Sequence, residues 1–238
     1  MRAKTIFGLL VLMILAATYF GPATEAEDFT DRRSANRWKL YEYHIRPRLR
    51  GSHPDFVPHL TPPGIAFDFL ETPDTAFLVT THHHYDGDLL GDLTGKTLAA
   101  LIDVEVTPGT QFTYFGAPHG CSEPADLRYY FETDTSGRFE ETDYWWSLGA
   151  PDLEFLSLGQ ILFVAPGGSY PGAWLDDKGH PGDFDIAHEL AFNAAARDVR
   201  KIGFSFGGGC SRGNGVGIVP GTGSGYFTLG GFDAVVDP

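Results

Sequence analysis

The sequence predicts an all-β protein, specifically a jelly-roll β-sandwich with one short helix. First, several segments alternate between apolar and other residues with a period of two; in 127–132, for example, Leu127, Tyr129 and Phe131 share one face. Second, glycine occupies 12 of the 29 positions from Gly203 to Gly231, far above the average share of about 7%. Third, predicted strands follow one another every 10 to 20 residues or so, without βαβ alternation, which is typical of sandwiches.

The elements are predicted from these patterns in chain order. One helix is expected over 186–196, with Asp185 as its N-cap and with Ile186, Leu190 and Ala194 on a single apolar face. The strands at 201–206 and 226–236 are expected to close the sandwich as a pair. The predicted strands and strand-like runs are 65–69, 76–81, 97–106, 111–115, 127–132, 143–147, 160–165, 201–206 and 226–236.

The first 26 residues are predicted to be a secretory signal peptide. Arg2 and Lys4 precede an apolar run over 6–17, which is shorter than the ~20 residues of a membrane span. An uncleaved anchor is the alternative. We expect cleavage to release a secreted, extracytoplasmic protein that does not insert into a membrane.

The remaining chain is divided into two parts. Residues 27–63 combine six arginines with five prolines and are predicted to be a loosely ordered lead-in that lies across the protein's own surface; a partner-binding arm is the alternative. Residues 64–238 are predicted to be the jelly-roll domain.

The charge of the chain limits its partners. There are 17 basic and 31 acidic residues, which gives a formal net charge of −14. Such a charge repels phosphate backbones and anionic lipids, so no nucleic acid partner is expected. An acidic exported protein suits cations, and calcium is the expected one.

Two features are predicted to support the fold. Cys121 and Cys210 are expected to form a disulfide in an oxidising compartment; two free thiols are the alternative. Asp86, Asp88 and Asp92 lie around a turn before a strand and are predicted to bind structural calcium, with ordinary turn chemistry as the alternative.

Two further motifs are weaker. Neighbouring residues of a strand face opposite ways, so at most His82 and His84 of the run 82–84 are able to share a metal ion. Residues 203–207 match the G-x-S-x-G pattern of hydrolases around Ser205, but glycines rather than a helix follow it, and no histidine lies after His188. We therefore interpret Ser205 as a residue on the outer face of a strand.

Aromatic residues provide the candidate binding surface. Tyr144, Trp145, Trp146 and, from a later loop, Trp174 are predicted to form a platform on which sugar rings stack. If one of the adjacent tryptophans enters the core, the other must face outward. Burial of all three tryptophans is the alternative.

Six features occur in an order that resembles the laminin B domain and the wider group of galactose-binding-like jelly rolls, which includes many carbohydrate-binding modules. They are GDLLGDLTGKTLAALIDV, LGQILFVAP, the loop with Trp174, the short helix over 184–196, VRKIGFSFGGG and GYFTLGGFDAV. The resemblance covers about 77–236. It implies a binding or structural module and provides no catalytic residues.

These observations predict an exported, non-catalytic module that binds a glycan or cell-envelope polysaccharide. One alternative is a structural or adhesive extracellular protein whose partner is another protein. Another is a secreted hydrolase that uses Glu140 and Glu141 or Asp176 and Asp177. Adjacent carboxylates face apart on a strand, which argues against either pair.

Overall fold

The computed structural model shows two antiparallel β-sheets packed face to face, so the predicted all-β sandwich with a short helix is confirmed. It describes residues 27, 29, 32–45, 48–60, 63–82, 89–115, 123–133, 140–209 and 212–236. The signal peptide predicted over 1–26 lies outside these residues. No helix within the described ranges is long and apolar enough to cross a bilayer.

The larger sheet has nine strands. Its main path runs β11-β9-β8-β12-β5-β1-β2, and β13 joins β5 to β7 beside this path. The strands are β1 (Trp38–Ile45), β2 (Arg48–Ser52), β5 (Thr75–Thr80), β7 (Phe112–Tyr114), β8 (Ala125–Glu132), β9 (Tyr144–Ser147), β11 (Trp174–Leu175), β12 (Lys201–Gly208) and β13 (Val216–Ile218).

The smaller sheet has five strands in the order β10-β6-β14-β4-β3. They are β3 (Asp55–Val57), β4 (Gly64–Asp68), β6 (Lys96–Val106), β10 (Ile161–Pro166) and β14 (Gly225–Val236). The long strands β6 and β14 pair from Gly225 with Val106 to Val236 with Lys96, with one irregularity between Leu229 and Gly231.

The core lies between the sheets and is rich in aromatic rings. Phe206 of β12 packs edge to face on Phe67 of β4 and Phe227 of β14, at centroid distances of 5.6 and 5.4 Å. The strands β12 and β14 thus face each other across the core and are not neighbours in one sheet. The expectation that they close the sandwich as a pair is wrong, because β12 pairs with β5 and β8.

The interval 27–63 is not a loosely ordered lead-in where the structure describes it. It contains a short helix, α1 (Arg32–Asn36), and the strands β1 to β3, which extend both sheets. Trp38 and Leu40 alternate into the core. The prediction failed because an arginine-rich segment was assumed to lack regular structure. Arg48 and Arg50 instead belong to β2, an edge strand of the larger sheet whose side chains are exposed.

Two helices follow β9. The first, α2 (Leu153–Leu156), is a single turn, and the second, α3 (Ile186–Ala196), has the predicted bounds and the predicted cap, Asp185, whose carboxylate accepts from the backbone N–H of His188 at 2.8 Å. The predicted buried face of α3 is wrong. Ile186 and Leu190 are 77% and 66% exposed, whereas α3 packs through Phe192 and two alanines near its end.

Candidate functional site

A cleft of about 580 Å³ lies on the outer face of the larger sheet, away from the core. Side chains of a strand alternate between the two faces of the sheet. In β1, β5, β8, β9 and β12, the residues that adjoin core residues in sequence therefore point outward, toward the cleft. Its lining comprises Tyr41, Tyr43, Leu49, Phe77, Val79, Thr81, Tyr130, Glu132, Tyr144, Trp146, Asp177, Lys201, Arg212, Gly213 and Asn214.

The aromatic residues of the cleft form a second apolar cluster outside the core. The Tyr130 ring lies 4.9 Å from Phe77 and 5.2 Å from Trp146, measured between centroids. Tyr144 stacks over Trp146 at 6.4 Å and 27°. Tyr41 packs against the same cluster. The rings of Tyr41 and Tyr144 are only partly covered, so they offer aromatic surface to a ligand.

Gly203 is a position of the larger sheet at which the neighbouring strand leaves no space for a side chain. It lies in β12 between Val79 and Tyr130 of the neighbouring strands, with φ at +152°. A Cβ atom there would lie 2.2 Å from the carbonyl oxygen of Leu78. The sheet at this point has no room for a larger residue.

Charged groups meet the aromatic rings at the same place. The buried Glu132 carboxylate accepts a hydrogen bond from the Tyr130 hydroxyl and pairs with the Lys201 ammonium. Lys201 also lies 5.8 Å from the centroid of Tyr41. Burial, and then the Glu132 charge, raises the pKa of Tyr130 well above its usual value, so the phenol keeps its proton as a donor.

Arg212 connects the cleft to the loop after β11. Its guanidinium lies 6.0 Å from the Trp146 centroid and donates to the carbonyl oxygens of Asp176 and Asp177 at 3.4 and 3.5 Å. Burial lowers the pKa of Arg212 and raises that of Asp177. The Tyr43 hydroxyl fixes the neighbouring turn by donating to the carbonyl oxygen of Gly213 at 3.1 Å.

The structure divides the four aromatic residues of the predicted platform. Trp145 and Trp174 are 0% exposed, and both pack against Phe192 in the core. Trp145 and Trp174 are therefore core residues that cannot contact a ligand, and their prediction as part of a sugar-binding platform is corrected. Trp146 and Tyr144 lie on the outer face and line the cleft, so the alternation expected of adjacent tryptophans is confirmed.

Ser205 is a structural residue of β12. It lies on the outer face, as predicted, and its hydroxyl accepts a hydrogen bond from Trp146 Nε1 at 3.0 Å. The residue is buried under that ring. An elbow serine must be exposed at a turn before a helix, so the hydrolase pattern is coincidental here.

The predicted metal and disulfide residues are only partly described. Asp92 holds a turn, because its carboxylate accepts from the backbone N–H of Thr94 at 2.8 Å, and hydrogen bonds to Thr94 lower the pKa of Asp92. The backbone N–H of His82 donates to Thr80 at 3.3 Å. Asp86, Asp88, His83, His84, Cys121 and Cys210 lie outside the described residues.

A second group of polar residues was missed by the sequence reasoning. One ligand-type atom each from Glu141, Asp176, His180 and His188 lies within 4.8 Å of the others. The spacing of Asp176, His180 and His188 is a usable signal in the sequence, whereas Glu141 joins them only through the tertiary fold. Asp176 and Asp177 point to different places, the cluster and the cleft, as expected for adjacent carboxylates.

Comparisons with known proteins gave one similar structure. No protein-family model matches the chain, and no curated protein matches it. Among solved structures the chain is similar to a xylan-binding module CBM15, with 16% sequence identity, 82% of this chain and 92% of that chain covered, and a TM-score of 0.39.

Proposed function

We propose that this protein is a non-catalytic glycan-binding module that holds a polysaccharide in the cleft on the outer face of the larger sheet. The observation that carries the proposal is the lining of that cleft, where partly exposed aromatic rings stand beside hydrogen-bonding charged groups. Pyranose rings present apolar C–H faces and polar hydroxyl edges, and both are matched by such a surface.

The rings and the charged groups have separate tasks in this proposal. Tyr41 and Tyr144 stand on opposite sides of the cleft, on β1 and β9, and stack on sugar rings. Glu132, Lys201 and Arg212 bind hydroxyl groups through charge-assisted hydrogen bonds. Because the Tyr130 hydroxyl and Lys201 already orient Glu132, its carboxylate loses little freedom when a ligand binds.

The charge of the cleft favours a neutral polysaccharide. Its described lining has two acidic residues, Glu132 and Asp177, and two basic residues, Lys201 and Arg212, so these charges cancel. The chain as a whole has a formal net charge of −14. A polyuronate is therefore repelled at long range without a compensating basic surface in the cleft.

The setting of the function is also part of the proposal. An exported protein of this kind meets its glycan in the cell envelope or outside the cell. Calcium at Asp86, Asp88 and Asp92, and a disulfide between Cys121 and Cys210, are proposed to support the domain. The basic and apolar start of the sequence supports export, and its two cysteines suit an oxidising compartment.

Affinity electrophoresis tests the proposal. The purified protein is run through native gels that contain soluble neutral or acidic polysaccharides, together with Tyr144→Ala and Tyr41→Ala variants. Tyr170→Ala is the matched control, because Tyr170 is 60% exposed and is not part of the cleft lining. We expect retardation by a neutral polysaccharide, less retardation of the two cleft variants, and no change in the control.

The same samples separate binding from hydrolysis. Glu132 and Asp177 are two carboxylates in one cleft, so new reducing ends are measured after long incubation with each retained polysaccharide. Retardation without new reducing ends supports a non-catalytic module. Absence of retardation by every polysaccharide, or equal retardation of the cleft variants and wild type, contradicts the proposed site.

A further inference from the structure

Two histidines and two carboxylates meet beside the cleft, on three separate parts of the chain. Glu141 lies in a 3₁₀ turn (Glu141–Asp143) before β9. Asp176 and His180 lie in the turn after β11, and His188 lies in the first turns of α3. Their ligand-type atoms all lie within 4.8 Å of one another.

Three of the six separations between the four ligand-type atoms are close to the edge length of a tetrahedral metal site. His180 Nδ1 lies 3.2 Å from Asp176 Oδ2 and 3.2 Å from Glu141 Oε1. His188 Nε2 lies 3.5 Å from the same Asp176 oxygen. A tetrahedral zinc site with bonds of about 2.0–2.1 Å has ligand–ligand edges of about 3.3–3.4 Å.

Neighbouring groups orient three of the four side chains. The Asp185 carboxylate lies 2.8 Å from Nδ1 of His188, so a proton on Nδ1 would leave Nε2, which faces Asp176, to bind a metal ion. This is the carboxylate–histidine arrangement that supports metal ligands. Lys178 pairs with Glu141 Oε2, and the backbone N–H of His180 donates to Asp176 Oδ1 at 2.7 Å.

The electrostatics of Asp176 also favour a cation at the centre. Its side chain is 0% exposed, and its Oδ2 atom faces both histidine nitrogens. With a proton on His188 Nδ1 directed at Asp185, Nε2 would be available to a metal ion that also binds Asp176 Oδ2. A buried carboxylate requires a compensating positive charge, which a metal ion at the centre would supply.

We propose that Glu141, Asp176, His180 and His188 form a binding site for a divalent transition metal, of which zinc fits best. Two imidazoles and two carboxylates are ligands that zinc accepts, whereas calcium selects oxygen ligands alone. None of these four residues belongs to the calcium turn predicted at Asp86, Asp88 and Asp92.

The metal would fix one wall of the cleft. It would join the segment before β9, the turn after β11 and α3, and the next residue after Asp176 lines the cleft. The backbone N–H of Asp177 also lies 3.4 Å from the carbonyl oxygen of Glu141. The site is therefore structural in this proposal, with all four ligands supplied by the protein.

Metal analysis of the folded protein is the first test. Protein stripped with a chelator is dialysed against zinc, and bound zinc is measured by elemental analysis. Cobalt(II) is then titrated in as a spectroscopic probe of a tetrahedral site. We expect one zinc per chain, an intense tetrahedral cobalt spectrum that zinc abolishes, and a higher melting temperature with zinc.

Variants assign the ion to this cluster. His188→Ala and Asp176→Asn are expected to abolish stoichiometric zinc binding and the tetrahedral cobalt spectrum. Asp185→Asn, which removes only the orienting carboxylate, is expected to weaken zinc binding by about 10-fold to 100-fold. Two controls are expected to keep full binding: His59→Ala, and a triple variant with alanine at His82, His83 and His84.

The inference is overturned if the folded wild-type protein binds zinc no more tightly than a Kd of about 100 μM. It is equally overturned if binding survives His188→Ala and Asp176→Asn but is lost in the triple variant. Circular dichroism of the stripped variants shows whether they are folded. The test requires no glycan, so its outcome is independent of the proposed function.

Discussion

Trp145 and Trp146 are adjacent in β9, yet their indole N–H groups donate on opposite faces of the larger sheet. Trp145 Nε1 donates to the carbonyl oxygen of Thr142 at 2.9 Å, on the core side. Trp146 Nε1 donates to Ser205 on the cleft side. Trp145 is therefore a residue of the hydrophobic core, and Trp146 is a residue of the candidate site.

Replacing Trp145 should affect stability. Its side chain is fully buried and packs edge to face on Phe192 at 5.0 Å, so Trp145→Ala is expected to lower the free energy of unfolding by about 3–5 kcal/mol. Urea unfolding followed by circular dichroism measures this change. Tyr170→Ala, at an exposed ring, is the control and should stay within about 0.5 kcal/mol of wild type. A comparable loss in both variants would contradict the assignment of Trp145 to the core.

Gly203→Ala is expected to destabilise the larger sheet by more than about 2 kcal/mol. The added Cβ would lie 2.2 Å from the carbonyl oxygen of Leu78 and 2.8 Å from the Cα atom of Val79, at a φ of +152°. Denaturant unfolding measures the loss. Gly149→Ala is the matched control, because a Cβ there has no atom within 4 Å; equal stability of the two variants would contradict the described geometry.

Substitutions on the exposed apolar face of α3 are expected to have little effect on stability. Ile186→Gln and Leu190→Gln remove large apolar side chains that lie mostly in solvent, so each should change the free energy of unfolding by no more than about 0.5 kcal/mol. Phe192→Ala, on the buried face, should lower it by about 3–5 kcal/mol. Thermal unfolding compares the three. Loss of stability in the first two would restore the helix face predicted from the sequence.

Asp103 should make stability depend on pH. Burial, and then the Glu105 charge, raises the pKa of Asp103 above its usual value. The folded state therefore disfavours the ionised form, and Asp103→Asn is expected to raise the free energy of unfolding at pH 7. That gain should shrink as the pH falls through the folded-state pKa, and vanish below the unfolded value of about 3.9. Urea unfolding across this range measures it; a gain that persists at the lowest pH would have another cause.

Local patterns predicted the strands and the helix bounds well. The eleven residues of β6 and the helix between Asp185 and Arg197 differ little from the expected ranges, because alternation and capping are encoded within a few neighbouring residues. The interval 27–63 was misjudged since its arginines suggested a surface segment. Its strands are set by pairing with distant partners, such as Leu40 with Leu78.

The candidate site was only half predictable for the same reason. Alternation within β9 indicated that one of two tryptophans faces outward, but the sequence does not say which. The partners of Trp146 in the cleft, Tyr130 and Arg212, come from β8 and from the loop after β12. Ile186 and Leu190 do lie on one face of α3, but the helix is oriented by the packing of Phe192, so that face is exposed.

The most direct measurement of the central claim is a calorimetric titration of wild type, Tyr144→Ala and Tyr170→Ala with oligosaccharides of the polysaccharide that retards the protein most. Tyr144 contributes a partly exposed ring to the cleft, and loss of one stacking contact worth about 1.4 kcal/mol weakens binding about tenfold. We predict such a loss for Tyr144→Ala and wild-type affinity for Tyr170→Ala. Equal affinity of all three proteins would contradict binding in this cleft.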